Sequence, residues 1–295
     1  MKTAFVINPI SGTRKDKEAL PDLIMSTIDK SRFEPVVVMT EHAGHGVELA
    51  RQFAAEGYGA VVAVGGDGTV NEVASGLRDT QTALGIIPIG SGDGLARHLH
   101  ISRNPRQAVE ALNTARIEQI DYGVENGRPF FTTCGTGFDA YIADCFARAG
   151  ERGLSTYIKT MVHEFFGYKR RHYRIKGDGI DLDTEAFLVT FANAGQWGNN
   201  AYIAPKASVQ DGLMDVVVVN KIPVLALPVM ATMLFTKSIG QGVYVHIMRA
   251  QHVTLERTAA EVFHCDGDPH AEDAVVDVSI VHHGLHALIT TDRHI

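Results

Sequence analysis

Val61-Val62-Ala63-Val64-Gly65-Gly66-Asp67-Gly68-Thr69-Val70-Asn71-Glu72 decides the reading of this chain. A run of β-branched and small apolar residues, suited to a buried strand, empties into three glycines set around an Asp and a Thr. A helical pattern follows. Glycines let the backbone turn sharply and bring its N–H groups close to a ligand, and a helix start favours anions. Asp67 does not sit against bare phosphate without a cation, so the turn points to metal-bridged phosphate and to nucleotide chemistry.

Working outward, residues 1–123 alternate between strand and helix. Strands are predicted over residues 3–7, 35–39, 60–64, 84–87 and 117–122. Helices are predicted over 18–29, 47–55, 71–77 and 105–115, with a helix start at 94–99. Apolar strands alternating with helices imply a parallel sheet covered on both faces, whose ligands bind beyond the strand carboxyl ends. The Gly-rich turns after Ile7, Val64 and Ile87 all fall at such ends. The fold class is therefore an α/β N-terminal domain with a parallel sheet.

From residue 124 to 295 the rhythm changes. Short strands are expected over 130–134, 173–176, 186–191, 214–219, 243–247, 252–255, 275–281 and 285–290, with helices near 140–149 and 154–166. This pattern reads as a C-terminal β-sandwich domain, with the extreme C-terminus a candidate to return to the first domain.

Composition narrows the function classes. With 27 basic and 34 acidic residues in 295, the chain is mildly acidic, which argues against nucleic-acid binding. Three scattered cysteines suit reduced thiols in the cytoplasm. Met1-Lys2-Thr3 runs straight into strand-like sequence, so no secretory signal is expected. Residues 222–235 are the longest apolar-rich stretch, carry two prolines, and are too short to span a membrane. The fourteen histidines form no zinc pattern; His264, Cys265 and His270 lack a CxxC or HExxH frame and read as incidental.

Four further segments match the first in chemistry. Asn8-Pro9-Ile10-Ser11-Gly12 offers a hydroxyl and amides after the opening strand. Thr40-Glu41-His42-Ala43-Gly44-His45 follows the second strand, and Gly90-Ser91-Gly92-Asp93-Gly94 opens a helix. Asp266-Gly267-Asp268 supplies carboxylates far along the β-rich half. Singly, each is a good turn sequence and nothing more. Their joint occurrence in this order carries the functional reading.

Taken together, these motifs resemble the diacylglycerol kinase catalytic-domain family, which includes bacterial lipid kinases, sphingosine kinases and ceramide kinases. The similarity runs through Ala96-Arg97, Ile120-Asp121, Lys206-Ala207 and Asp211-Gly212-Leu213-Met214-Asp215 to Asp266-Gly267-Asp268, nearly the whole chain. It implies a nucleotide domain of the NAD kinase/diacylglycerol kinase type, a β-sandwich, and an active site in the cleft between them. The implied activity is transfer of the γ-phosphoryl group of ATP, with Mg²⁺, to a lipid hydroxyl. Asn8, Ser11, Gly12, Thr40, Gly65, Gly66, Asp67, Gly68, Thr69, Asn71 and Ser91 would hold the nucleotide. Asp67 would act beside the phosphates and Mg²⁺, and Asp268 as the catalytic base. A structural divalent cation would use Ser208, Asp211 and the carbonyl of Leu213, with Arg97 and Asp121 nearby.

The same resemblance implies a lipid partner, peripheral contact with the inner membrane surface from the cytoplasm, and compatibility with a homodimer. Residues 154–166 and 224–235 are candidate lipid-facing walls, and Lys169-Arg170-Arg171 a candidate membrane contact. Diacylglycerol, a sphingoid base, ceramide and phosphatidylglycerol fit equally as acceptors. Two alternatives stay open at this point. One is an NAD kinase- or phosphofructokinase-like kinase of a soluble acceptor; the other is a catalytically impaired nucleotide- or lipid-binding regulator. Two departures bear on the second: Gly94 stands where the family has Asp, and Asp268 where it has Glu. The Asp carboxylate falls about 1.5 Å short of a Glu on the same backbone. Pro269 restricts Asp268 to extended conformations, which fixes its direction.

Overall fold

The computed structural model describes residues 1–12, 17–149 and 163–290. The chain forms two compact units, residues 1–121 with 283–295, and residues 122–282.

In the first unit, β1 (Lys2–Ile7), α1 (Leu20–Thr27), β2 (Glu34–Met39), α2 (His45–Ala55), β3 (Ala60–Gly65), α3 (Asp67–Leu77), β4 (Ala83–Pro88), α4 (Gly94–His98) and α5 (Pro105–Leu112) follow one another. The strands pair in parallel in the order β2-β1-β3-β4. Every residue of β3 and of β4 is buried, as expected of a parallel sheet covered on both faces. Helix α2 packs on α3, and α1 on α5. The helix after the glycine turn begins at Asp67, four residues before the start that the apolar periodicity marks. Gly66 is its extended N-cap, so the turn and the helix are one piece.

The second unit takes in the end of β5 (Arg116–Glu125), then β6 (Arg128–Phe130), β7 (Thr133–Gly137), α6 (Phe138–Ala149), β8 (Arg171–Gly177), β9 (Ile180–Ala186), β10 (Leu188–Ala192) and β11 (Met214–Val219). A helix over Leu227–Phe235 precedes β12 (Val245–Ala250), β13 (His252–Arg257), β14 (Glu261–Cys265), β15 (Asp268–Glu272) and β16 (Val275–Ile289). It is a sandwich. Tyr173, Ile175, Val253, Leu255, Val276 and Val278 from β8, β13 and β16 share one core with Val189, Phe191, Val216, Phe263 and Cys265 from β10, β11 and β14. The outer face of the β10–β11 sheet is covered by Phe138 and Ile142 of α6 and by Met230.

Four details differ from the sequence reading. Strand β9, Ile-Asp-Leu-Asp-Thr-Glu-Ala, is an edge strand whose charged residues face outward, which hides its alternation in an acidic segment. The hairpin β14–β15 falls between the strands expected at 252–255 and 275–281, where none is marked on either side of the Asp266-Gly267 turn; Pro269 is tolerated because β15 is also an edge. The strand expected over residues 130–134 is interrupted after Phe130, where the Asp266 carboxylate takes the amides of residues 131 to 133. The two strands expected at 275–281 and 285–290 are one, with His283 at φ +55° bending the backbone without ending the ladder. Its last residues return to the first unit, where Ala287 pairs with Leu84 of β4. Of the expected helix over 154–166, residues 154–162 lie outside the described residues; Phe166 is exposed.

Candidate active site

In the first unit the turns after β1, β3 and β4 are packed backbone against backbone. A Cβ on Gly12, which sits at φ +69°, would lie 1.9 Å from the carbonyl oxygen of Ile89. One on Gly90 would lie 2.6 Å from the Cα of Gly66. Glycine is therefore required at both positions by contact between the turns themselves. The Ser11 hydroxyl accepts from the Gly66 amide at 2.7 Å, and Asn8 Nδ2 donates to the Thr69 hydroxyl at 3.1 Å.

Asp67 begins α3 and turns its carboxylate onto the next loop. Oδ2 accepts from the Asp93 amide at 2.9 Å and Oδ1 from the Gly94 amide at 2.6 Å. The residue expected beside the phosphates thus also ties the start of α3 to the start of α4. Glu72, one turn along, accepts from the Gly44 and Gly46 amides at 2.8 and 2.9 Å, fixing the entry to α2. Asn8, Ser11, Gly12 and the stretch from Gly65 to Thr69 therefore meet in one cluster. Ser91 is exposed on its rim. Thr40 follows β2, its amide bonded to the Ile7 carbonyl, and Asn71 faces Ser75 along α3.

Arg103 escaped the sequence reading, which has Asp93 only as part of the Gly90–Gly94 segment. Arg103 Nε lies 3.3 Å from Asp93 Oδ2, and its Nη2 donates to the Gly90 carbonyl at 3.3 Å. Burial pushes the Asp93 carboxyl up, and Arg103 opposes that shift without cancelling it. Only proximity in space reveals Arg103, since nothing in its local sequence marks it.

In the second unit Asp266 at φ +51° and Gly267 at φ +85° form the two-residue turn of the β14–β15 hairpin. The Asp266 carboxylate accepts from the amides of Phe131, Thr132 and Thr133 and from the Thr132 hydroxyl, at 2.9, 2.7, 3.2 and 2.5 Å. Behind it, the Gly267 amide donates to His264 Nδ1, which leaves Nε2–H of that ring to face Asp139 Oδ2 at 3.2 Å. Thr190 donates to the same oxygen at 2.8 Å. Asp268, across the ladder from Cys265, is exposed, and among the described residues its carboxylate has no hydrogen-bond or ion-pair partner.

Asp211, Gly212 and Leu213 form a turn in which Asp211 Oδ1 accepts from the Leu213 amide at 3.1 Å. Its Oδ2 lies 3.5 Å from Arg249 Nη1, and Arg249 Nε bonds Asp215 at 3.1 Å. Ser208 accepts from the Gln210 amide. The charge of Asp211 thus already faces a guanidinium. Arg97 and Asp121 belong to the first unit, bonded there to the Gly92 carbonyl and the His283 amide.

Residues 2–124 match the diacylglycerol kinase catalytic domain, and residues 132–287 match the YegS C-terminal NAD kinase beta sandwich-like domain. The chain belongs to the diacylglycerol kinase catalytic-domain family. It is 28% identical over 239 residues to a probable lipid kinase YegS-like of Chromohalobacter salexigens, covering 79% of this chain and 77% of that one. It is 24% identical over 279 residues to a diacylglycerol kinase of Staphylococcus saprophyticus, covering 90% and 88%. A crystal structure of a putative diacylglycerol kinase from Bacillus anthracis superposes with a TM-score of 0.77 at 19% identity, over 98% of this chain and 96% of that one. That last likeness concerns the fold alone.

Gly94 is buried, and its amide donates to Asp67 at 2.6 Å.

Proposed function

We propose that this family member transfers the γ-phosphoryl group of ATP to a hydroxyl of a lipid, with the Gly-rich cluster holding the nucleotide and Asp268 acting as general base. The observation that carries the reading is the division of labour within one hairpin. Asp266 is bonded inward by four donors, while Asp268, two residues on, is exposed and partnerless among the described residues. A base must be available to solvent and substrate yet held in direction, and the locked turn with Pro269 behind it supplies both.

In the step itself the acceptor oxygen forms a bond to the γ-phosphorus as its proton passes to the Asp268 carboxylate. The bond from that phosphorus to the β,γ-bridging oxygen breaks, and ADP leaves with the electron pair. Backbone amides at the N-terminus of α3, which has no side-chain cap, favour the phosphates. Asn8, Ser11 and Thr69 fix the loops, and Thr40, Asn71 and Ser91 border them. A Mg²⁺ ion that arrives with the phosphates needs one or two protein carboxylates. Half-buried Asp67 suits that need better than Asp93, which is buried against Arg103. Such an ion supplies charge neutralisation at the transferring group. A structural cation at Ser208, Asp211 and Leu213 would share Asp211 with Arg249.

The lipid partner implies work at a membrane surface. Among the described residues no helix is long and apolar enough to cross a membrane. Around the helix Leu227–Phe235, however, Leu225 is 94% and Val229 60% exposed, and Lys169, Arg170 and Arg171 are exposed cations. These residues suit shallow insertion next to anionic headgroups.

The test is incubation of the full chain with Mg²⁺, γ-labelled ATP and a lipid panel in micelles, beside Asp268→Asn. Label in one lipid class, reduced about 10²–10⁴-fold in the variant, supports the reading. Label only in a soluble acceptor such as NAD or a sugar phosphate would replace it. ATP binding without any transfer would make the chain a regulator.

A further inference from the structure

Glu125, at the end of β5, is completely buried in the second unit. A carboxylate removed from water is costly unless donors or a cation meet it. Two neighbours reach one of its oxygens: His270 Nε2 at 3.1 Å and Cys265 Sγ at 3.7 Å, both from Oε2. The other oxygen, Oε1, is buried as well and has no hydrogen-bond partner among the described residues. Glu272 adds a second carboxylate, its Oε2 3.7 Å from His270 Nε2. Cys134 stands directly across the ladder from Cys265, and both thiols are buried. Negative and potentially negative groups therefore converge around one imidazole, with the Arg257 guanidinium also acting on Glu125 and Glu272 and that of Arg128 on Cys265.

We propose that Glu125, Cys265 and His270 form a binding site for a thiophilic divalent cation of the zinc type. One carboxylate oxygen, one sulfur and one imidazole nitrogen lie within 4.8 Å of one another. Tetrahedral zinc, with bonds of about 2.0–2.1 Å to N or O and about 2.3 Å to S, separates its ligand atoms by about 3.3–3.7 Å. The observed 3.1 and 3.7 Å edges match that figure to within a few tenths of an ångström. Cys134 lies beside Cys265 across the ladder and Glu272 beside His270, outside the set of three. The donor set excludes the harder ions: magnesium takes oxygen ligands, whereas thiolate with imidazole selects zinc.

Binding would form a metal–sulfur bond and release the Cys265 thiol proton to solvent. The site is independent of the kinase reading, although His270 follows Asp268 by two residues on the same face of β15. No sequence pattern exposes it, because Glu125 is 140 residues from Cys265 and on another strand.

The full chain, reduced and freed of metal with a chelator, is titrated with Co²⁺ as a spectroscopic probe and then with Zn²⁺. A single equivalent of Co²⁺ should give near-ultraviolet sulfur-to-cobalt charge-transfer absorption and intense tetrahedral visible bands, both erased by Zn²⁺. Cys265→Ser should lose the charge-transfer band, His270→Gln should weaken binding at least about tenfold, and Cys145→Ser should change neither. Absence of the sulfur band in the unaltered chain overturns the proposal, whatever the variants do. So does a band that survives Cys265→Ser in a folded protein, which would place the metal on another thiol.

Discussion

Asp67 Oδ1 lies 2.6 Å from the Gly94 amide, so the carboxylate of the glycine-rich turn joins the starts of two helices. Carboxylate-to-amide bonds contribute about 1.5–3 kcal/mol each, and a buried amide left bare costs about 1–3 kcal/mol. Asp67→Ala removes the acceptor for two buried residues, Asp93 and Gly94. It should lower unfolding free energy by about 2–4 kcal/mol in urea titrations. Asp67→Asn keeps one acceptor and should lose about half as much, while its affinity for an ATP analogue falls. Unchanged stability in both variants would show that the two helix starts hold their places without this carboxylate.

Asp266 and Asp268 should separate stability from catalysis. Asp266→Ala strips the acceptor from three amides and a hydroxyl, and should cost about 3 kcal/mol or more. Asp268→Asn touches no partner among the described residues and should leave stability within about 0.5 kcal/mol while turnover collapses. Asp268→Glu, which adds a methylene, should keep measurable turnover, since it retains a carboxylate on the same locked turn. Chemical denaturation and initial rates on the three variants check this. An active Asp268→Asn would remove the base from this residue.

Asp93 makes a pH prediction. Its carboxyl is raised, by burial first and against the pull of Arg103. The folded state therefore holds this proton more tightly than the unfolded chain does. Stability from that proton is fully present below the unfolded value and is lost as pH rises through the folded one. Asn carries no charge to bury, still accepts from the Gly90 amide, and tolerates the positive φ of 52° found here. Asp93→Asn should thus gain relative to the unaltered chain between mildly acid and neutral pH, ending within about 1 kcal/mol of it or above it at pH 7. Melting temperatures across pH 4–8 test the sign; a variant that loses ground steadily with rising pH would contradict it.

Much of this was legible in the sequence because the decisive signals are local. The strand-to-turn transitions at Val64-Gly65 and Ile87-Pro88 need only a run of apolar residues and a glycine, and both strands are wholly buried as that pattern requires. Asp266-Gly267 reads as a two-residue hairpin turn from its own chemistry. What could not be read depends on distant partners. That Asp266 faces inward and Asp268 outward follows from the amides of residues 131 to 133, more than 130 positions away. Arg103 closing on Asp93, and Glu125 meeting Cys265 and His270, likewise arise from strand pairing and packing. The acidic edge strand β9 was missed because solvent-facing charges at every second residue look like loop composition.

The apolar surface near the helix Leu227–Phe235 supplies the last prediction. Met230 is its buried anchor, while Leu225, Val229 and Phe235 point to solvent at 94, 60 and 59% exposure. Three such side chains so close in sequence are unusual for a surface that meets only water. Burying a Leu or Val in the headgroup boundary contributes about 1.5–3 kcal/mol when complete. Leu225→Glu with Val229→Glu forfeits that gain, and the added charges are repelled by anionic lipid. Flotation with vesicles containing phosphatidylglycerol should show at least a tenfold loss of bound protein, roughly 1.4 kcal/mol. Because Met230 is untouched, the melting temperature should hold, and turnover of a short-chain acceptor dispersed below its micelle point should match the unaltered chain. Equal flotation of variant and parent would show that this surface makes no membrane contact.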